Sequence, residues 1–443
     1  MPLITRLPAR QVADARAFLR QQLLGAIART ACFNLASAIA AALSGVIVAR
    51  TVGPAVRGEY AAVISWAGVL LLLGEMGQSA AVCFYVASDP RNARGYVATS
   101  RAMMLVTGTC ALVGGLAVAP VLAHGNPGLT GAYRIVFAGS VIAFTGNSYT
   151  FSLQAASTQR WNLVRVGQPV LALAAIIALR LVGQLTLDTA IAALLASMTF
   201  QLGHAYYWCR RCGLAPGRVQ LSLVGPLARC GLAQLGAITP SAVNYFLDQL
   251  VLSQLVPPAE LARYAIAASV SMVPLPLVSA IGNVAFPRLA ARRGSEVAST
   301  RLALAGAAAA AGIATVLLLP LAASACWLVP VVFGPAYRGA VPLLWVLTPG
   351  GVFLACGQVV GDMLRGLGRP GLVAMAQGVT AVCAVILLVV LLPVVGVMAA
   401  AIASTVAYGL TLALLIRWLW RPPRPRRTRQ RRGRGPAPAS VLG

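Results

Sequence analysis

The sequence contains no lysine, and acidic residues and histidines are scarce. Its 35 basic residues are all arginine, against nine aspartates and glutamates and two histidines. The histidines, His124 and His204, are far apart in the chain and form no metal-binding motif. Glycine-rich segments such as Gly366-Leu367-Gly368 lack the Lys-Ser/Thr pair of nucleotide-binding loops. We therefore expect no metal ion, no other cofactor and no ATP site.

Two further features are expected to be absent. Cys209-Arg210-Arg211-Cys212 has the spacing of a metal or redox pair, but no second pair or nearby histidine completes a four-ligand site. The nine cysteines lie mostly in apolar segments and are interpreted as small core residues. The first 22 residues lack an apolar core and a cleavage site, so no cleavable signal peptide is expected.

Long apolar segments make up most of the chain. Hydrophobic residues account for 59% and charged residues for 10%, and the mean hydropathy is +0.82. A soluble core cannot cover so much apolar surface, so the composition predicts a membrane protein. A net charge of +26 would suggest nucleic-acid binding in a soluble protein. Here the charge belongs to short loops and a tail that lie against anionic lipid headgroups, and we expect no nucleic-acid partner.

Twelve of these segments are near or above the ~20 residues that cross ~30 Å of hydrocarbon as a helix, which predicts an all-α polytopic protein. No gap between them is long enough for a folded extramembrane domain. The segments are 23–49, 60–87, 97–120, 129–156, 163–183, 188–209, 224–255, 261–287, 302–331, 340–363, 371–392 and 395–418.

The arginines are distributed unevenly between the gaps. One alternating set of gaps, together with the two terminal segments, holds 27 arginines. The other set holds only four, namely Arg50, Arg57, Arg263 and Arg338. Because short arginine-rich loops resist translocation, the richer set is predicted to be cytoplasmic. Both termini are then inside.

The two halves of the chain look like a repeat. At a constant offset of 204, the segments 52–61 and 256–265 share five of ten residues. Six helices per half give both halves the same orientation, which predicts a pseudo-two-fold axis along the membrane normal, a cavity between the halves, and alternating access. The chain is thus divided into a cytoplasmic N-terminal segment at 1–22, six-helix halves at 23–212 and 213–420, and a disordered basic cytoplasmic tail at 421–443.

Acidic residues inside the predicted helices are functional candidates because charge in hydrocarbon is costly. Asp248 has two open interpretations. It either binds a proton or sodium ion or pairs with an arginine of the other half during transport, or it makes a permanent ion pair or helix-to-helix hydrogen bond. Glu75, between glycines, is a candidate for contact with a coupling ion or a substrate hydroxyl. Asp362 is expected to pair with Arg365.

Arg29 is the basic residue placed deepest in a predicted helix, with Asn34 five residues further on. Its fork-shaped guanidinium suits a bidentate grip on phosphate or diphosphate. The alternative is a side chain whose charged end extends to the membrane surface. Arg134, Arg180 and Arg229 lie near helix ends, where this second behaviour is expected.

Seven motifs occur in order along nearly the whole chain: Val48-Ala49-Arg50-Thr51-Val52-Gly53-Pro54, Arg57-Gly58-Glu59-Tyr60, Asp248-Gln249, Tyr264-Ala265, Phe286-Pro287-Arg288-Leu289, Phe333-Gly334-Pro335-Ala336-Tyr337 and Leu364-Arg365-Gly366-Leu367-Gly368-Arg369-Pro370. This ordered set resembles the bacterial polysaccharide-biosynthesis flippases of the multidrug/oligosaccharidyl-lipid/polysaccharide exporter superfamily.

The resemblance implies a flippase of the bacterial inner membrane that moves polyprenyl-diphosphate-linked oligosaccharides to the outer leaflet for polysaccharide or lipopolysaccharide biosynthesis, without ATP hydrolysis. Its partners would be that substrate, membrane lipids and polysaccharide-assembly proteins. Glu75 and Asp248 would serve ion coupling or pairing between halves. Only one arginine lies well inside a predicted helix, although related flippases can carry several basic residues in the cavity. The candidate substrate-binding residues are Arg29, Asn34, Gln78, Asn244 and Gln249.

Other functions remain open at this point. A cation-coupled multidrug antiporter of the same superfamily would use acidic residues such as Glu75 and Asp248. A lipid II flippase would be expected to have fourteen helices. A membrane glycosyltransferase or polymerase, which would be an enzyme, would be expected to show a large outer loop or an acidic catalytic cluster. Neither feature is present in the sequence.

The arginine distribution makes a testable prediction of topology. We expect the loops at 121–128 and 333–339 to lie outside the cell and both termini inside. Single cysteines at Asn126 and Ala336 of a cysteine-free variant should therefore react with a membrane-impermeant maleimide in intact cells, whereas one in the tail should not. Labelling of the tail but not of these loops would contradict the prediction and show that the topology is inverted.

Overall fold

The computed structural model describes residues 9–279, 296–367 and 369–420. Within these ranges the chain is helical, with connecting turns and no β-strand. The motif Phe286-Pro287-Arg288-Leu289, Gly368, the first eight residues and the basic tail from 421 lie outside the described residues. The predicted all-α class is therefore confirmed.

The described part of the first half contains six α-helices, of which the first is much longer than the rest: α1 (Ala9–Gly74), α2 (Gln78–Ser88), α3 (Ala93–Leu122), α4 (Pro127–Ala156), α5 (Thr158–Leu181) and α6 (Leu187–Arg211). The described part of the second half contains α7 (Val224–Leu255), α8 (Pro258–Ser271), α9 (Glu296–Ala323), α10 (Ala325–Phe333), α11 (Ala340–Gly366), α12 (Pro370–Val395) and α13 (Met398–Leu419).

Helix α1 carries the first two predicted crossings. It has 66 residues, or about 100 Å at 1.5 Å per residue, far more than one membrane thickness. Its axis kinks at Gly53, where φ is 77° and ψ is 174°, directly before Pro54. The sequence predicted a loop at 50–59. The structure instead keeps these residues helical apart from the kink.

The second crossing is interrupted where a continuous helix was predicted at 60–87. Helix α1 ends at Gly74, and α2 begins at Gln78 after Met76 and Gly77 adopt φ values of 52° and 66°. A Cβ on Gly77 would overlap the carbonyl oxygen of Gly231 in α7. Glycine is therefore required both for the left-handed backbone and for the close approach of the two halves.

Eight described helical segments are long and apolar enough to cross a membrane, which makes this a multi-pass membrane protein. Helix α8 has only 14 residues in the described range, so it falls below the length of a crossing. The eight segments are Ala28–Gly74, Pro90–Leu122, Pro127–Ala156, Thr158–Leu181, Ala303–Ala323, Ala340–Arg365, Pro370–Val395 and Met398–Leu419.

The two halves meet along α1 and α2 of the first half and α7 and α8 of the second. The repeated segments 52–61 and 256–265 lie at this interface. A shared buried cluster contains Ala61 and its repeat equivalent Ala265, and the Tyr337 hydroxyl donates to the carbonyl oxygen of Ala49 at 3.0 Å. On the side predicted to be outer, the halves are therefore packed together.

Gly58 allows the closest of these contacts to be tested. A Cβ at this position would overlap the backbone of Pro258. We expect Gly58→Ala to lower the free energy of unfolding by about 1–3 kcal/mol, since backbone must move to admit the methyl group. Gly114→Ala in α3 is the matched control, because its Cβ meets nothing within 4 Å.

The two variants are compared by thermal unfolding of the purified protein in detergent. A lower melting temperature for Gly58→Ala, with Gly114→Ala unchanged, supports the contact. Equal melting temperatures for wild type and Gly58→Ala would show that the halves do not pack at this point.

Candidate functional site

A cavity of about 560 Å³ lies within the first half, between α1, α5 and α6. We call it the first-half cavity. Before the kink at Gly53, the lining residues of α1 recur at helical spacing and are small, so their side chains leave the space open. The described residues that line it are Ser37, Ala38, Ala41, Ser44, Gly45, Arg57, Tyr60, Arg165, Gln168, Pro169, Ala172, Ile176, Ala190, Leu194 and Gln201.

Arg165 projects from α5 into this cavity. Its Nη1 donates to Oδ1 of Asn34 in α1 at 3.3 Å. Its guanidinium carbon also lies 4.4 Å from the ring centroid of Trp161, one helical turn earlier, in a cation–π contact. These two contacts hold one edge of the guanidinium and orient it in the cavity. Its remaining donors are available to a ligand.

Arg57 lies at another part of the same cavity, next to Gly45 and beyond the kink in α1. Its guanidinium carbon is 5.5 Å from the ring centroid of Tyr60. Its Nε is buried and has no hydrogen-bond partner within the described ranges. A buried unpaired donor is costly. An anionic ligand in the cavity would offset that cost.

The charge in the first-half cavity has one sign. Arg57 and Arg165 are its charged residues, and no acidic residue lines it among those the structure describes. Gln168 and Gln201 add amide groups that can donate hydrogen bonds. This set of donors suits an anion with several oxygen atoms, such as a phosphate or diphosphate.

Asp248 lies outside this cavity and is buried in the second half, with a relative exposure of 5%. Its Oδ2 accepts a hydrogen bond from the Tyr264 hydroxyl at 2.8 Å and a second from the Ser404 hydroxyl. No arginine pairs with it in the described chain. The helix-to-helix hydrogen bond is therefore the interpretation seen in this conformation. A buried lone carboxylate still requires a proton or a cation to offset its desolvation.

Glu75 lies at the break between α1 and α2. One carboxylate oxygen accepts from the backbone amide of Ser79 at 2.9 Å, in the first turn of α2. The other accepts from Nδ2 of Asn147 in α4 at 3.1 Å. Both oxygens are thus used in holding the break, and an acid at this position is favoured by the dipole of α2.

The other candidate residues are placed in different ways. Arg29 is exposed and does not line the first-half cavity, so its role in binding substrate remains a prediction. Gln78 is buried and donates to the Leu227 carbonyl oxygen at 3.4 Å. Gln249 accepts from the Ser65 hydroxyl at 2.7 Å. These two glutamines therefore join the halves. The side chain of Asn244 lies outside the described residues.

The structure brings to one cavity two arginines that the sequence did not single out. Arg165 was counted with the cytoplasmic arginines because it lies at the very start of the fifth predicted crossing, 163–183. Helix α5 begins earlier, at Thr158, so Arg165 lies about two turns inside it. Arg57 was assigned to an outer gap that is in fact helical. A cation–π pair at helical spacing, Trp161 with Arg165, was the signal available in the sequence. The pairing of Asp362 with Arg365 is confirmed at 2.7 Å.

Comparison with known families identifies one match. The family described as "Polysaccharide biosynthesis protein" matches residues 24–292. No curated protein sequence matches the chain.

Solved structures share the fold at low sequence identity. A multidrug resistance MATE family transporter of the MOP superfamily, in an inward-facing conformation, is 15% identical with a TM-score of 0.73, and the alignment covers 88% of this chain and 97% of that one. The lipid II flippase MurJ, in an inward closed conformation, is 11% identical with a TM-score of 0.73, and 87% of each chain is covered. An outward-facing MATE family transporter is 15% identical with a TM-score of 0.65, covering 89% of this chain and 94% of that one.

The charge of the buried Asp248 carboxylate can be tested by substitution. We expect Asp248→Asn to lose most transport, because it keeps the size but removes the charge that can bind a proton or cation. Asp248→Glu keeps the charge and should retain more. Asp188→Asn, at an exposed position, is the matched control.

Cell-surface polysaccharide is measured in cells that carry each variant, with the amount of the variant in the membrane determined in parallel. Normal export by Asp248→Asn would make Asp248 a replaceable hydrogen-bonding group. Failure of Asp248→Asn to accumulate in the membrane would assign it a structural role only.

Proposed function

Because the chain belongs to the family of polysaccharide biosynthesis proteins, we propose that it is a flippase for polyprenyl-diphosphate-linked oligosaccharides. It would carry them from the inner to the outer leaflet of the bacterial cytoplasmic membrane for cell-surface polysaccharide biosynthesis. The family and the proteins of similar fold are transporters and flippases rather than enzymes. Membrane lipids and polysaccharide-assembly proteins are its expected neighbours.

The observation that carries this proposal is the charge of the first-half cavity. Two arginines, Arg57 and Arg165, face it without an acidic residue among its described lining. Arg57 lies against Gly45 and Arg165 against Asn34, about three helical turns apart along α1. The two planar guanidinium groups would therefore contact different oxygen-bearing groups of one phosphate-containing substrate. Asn34 contributes by orienting Arg165. The family motif Arg57-Gly58-Glu59-Tyr60 supplies the second arginine.

The transport cycle proposed here is alternating access across twelve helices, with both termini inside and a pseudo-two-fold axis between the halves. In the described conformation the halves are packed together on the side predicted to be outer. Substrate would enter the cavity from the opposite side. Glu75 and Asp248 are the candidates for coupling this cycle to an ion.

A cation-coupled multidrug antiporter is the second candidate, and the similarity of fold to MATE transporters favours it. A cationic drug requires an acidic or neutral site. The positive charge of the first-half cavity disfavours such a ligand. Asp248, which could attract a cation, is buried behind hydroxyl groups in the other half.

Arg165 and Arg180 provide a matched test on one helix. Arg165 faces the cavity, whereas the Arg180 side chain is exposed near the other end of α5. We expect Arg165→Ala to reduce glycan export by at least roughly tenfold, because a hydrogen bond to a charged group contributes about 1.5–3 kcal/mol. Arg165→Lys should retain part of the activity, and Arg180→Ala should export normally.

The variants are expressed in cells that lack the chromosomal gene, and lipid-linked glycan is quantified separately in the two leaflets. Accumulation in the inner leaflet is the expected defect. If loss of the protein leaves the glycan distribution unchanged but sensitises cells to cationic drugs, the antiporter is correct and the flippase is not.

A further inference from the structure

A second cavity, of about 280 Å³, lies inside the second half between α7, α11, α12 and α13. We call it the second-half cavity. Along α11 its wall follows one helical face, from Phe353 through Gln358 to Asp362 and Arg365. The charged end is within one turn of Gly366, where α11 ends on the side predicted to be cytoplasmic. Its volume is at the lower limit of small-ligand pockets.

Aromatic rings form the other part of this cavity. Tyr245 of α7 is 45% exposed, whereas Phe246 and Leu247 after it are half-buried and Asp248 is buried. Phe353 and Tyr408 lie on α11 and α13 beside the same space. These rings present flat apolar faces, and each tyrosine adds a polar hydroxyl at the edge of its ring. Small-molecule binding sites commonly combine aromatic faces with a few polar groups in this way.

Several polar groups of the second-half cavity have no partner in the protein. Asp362 accepts from Arg365 through Oδ1, and its Oδ2 makes no hydrogen bond within the described ranges. The Gln358 amide and the Tyr408 hydroxyl make none either in that part of the chain. These groups offer both donors and acceptors, close to an ion pair with no net charge.

The chemistry of this set favours a neutral polyhydroxylated ring. The charges of Asp362 and Arg365 largely cancel within their ion pair, so the cavity offers no net attraction to a free anion or a free cation. A lipid chain would leave the amide and hydroxyl groups unpaired, at a cost. A sugar ring has an apolar C–H face that stacks on an aromatic side chain and a rim of hydroxyls that bond to carboxylate, guanidinium and amide.

We propose that the second-half cavity binds one sugar residue of the lipid-linked glycan while the diphosphate occupies the first-half cavity. This inference rests on the proposed function. In this arrangement the first half binds the charged diphosphate and the second half binds the sugar. Gln358 and Tyr408 would act as specificity-determining residues, since neither has a structural hydrogen bond to lose.

The test compares two short-chain probes, farnesyl diphosphate and farnesyl diphosphate carrying one N-acetylhexosamine. Binding of each to the purified full-length protein in detergent is measured by titration. We expect the wild type to bind the sugar-bearing probe roughly fivefold to tenfold more tightly, as a few added hydrogen bonds would give. Gln358→Ala and Tyr408→Phe should bring the two affinities within about twofold of each other.

Arg165→Ala is the complementary variant and should weaken both probes by a similar factor while keeping the preference for sugar. Equal affinity of the wild type for the two probes would overturn the inference and leave the flippase proposal standing. A preference that survives in both Gln358→Ala and Tyr408→Phe would also overturn it. If neither probe binds the wild type, the proposed function fails, and the inference fails with it.

Discussion

The cost of placing a charge in hydrocarbon determines how this molecule is organised. It confines most arginines to the ends of helices and to the terminal segments, and it makes each charge that remains inside conspicuous. Arg165 is held by an amide and an indole ring, and Asp248 by two hydroxyl groups. Arg57, whose Nε has no partner within the described ranges, borders the first-half cavity. That unpaired donor is one of the features on which the proposed anion site rests.

Much of the helical framework could be predicted from the sequence, because the length of an apolar segment is a local property. The breaks were harder to predict. Gly53, Pro54 and Gly77 are visible in the sequence, yet a glycine can end a helix, kink it or simply pack closely. At Gly77 the outcome depends on Gly231, 154 residues later in the chain, whose backbone leaves no room for a side chain. Contacts of that kind are set by tertiary packing.

The site was predicted less well for a related reason. Depth in a helix can be counted along the sequence, and by that measure Arg29 was preferred. Which neighbouring helix or cavity each face of a helix contacts cannot be found by counting along the sequence. Arg165 faces the cavity because α1 presents small residues to α5, and Gln249 meets Ser65 because α7 packs on α1. The repeated segments at 52–61 and 256–265 were a better guide, since they marked where the halves touch.

The continuity of α1 has a mechanical consequence. Asn34, which holds Arg165, and Gly58, which packs on Pro258, lie on opposite arms of one rod with a single joint at Gly53. A change in the backbone angles at Gly53 would therefore move the packed outer contact at Gly58 relative to the part of the cavity wall that precedes the kink. In alternating access as proposed, this one residue would couple the two regions directly.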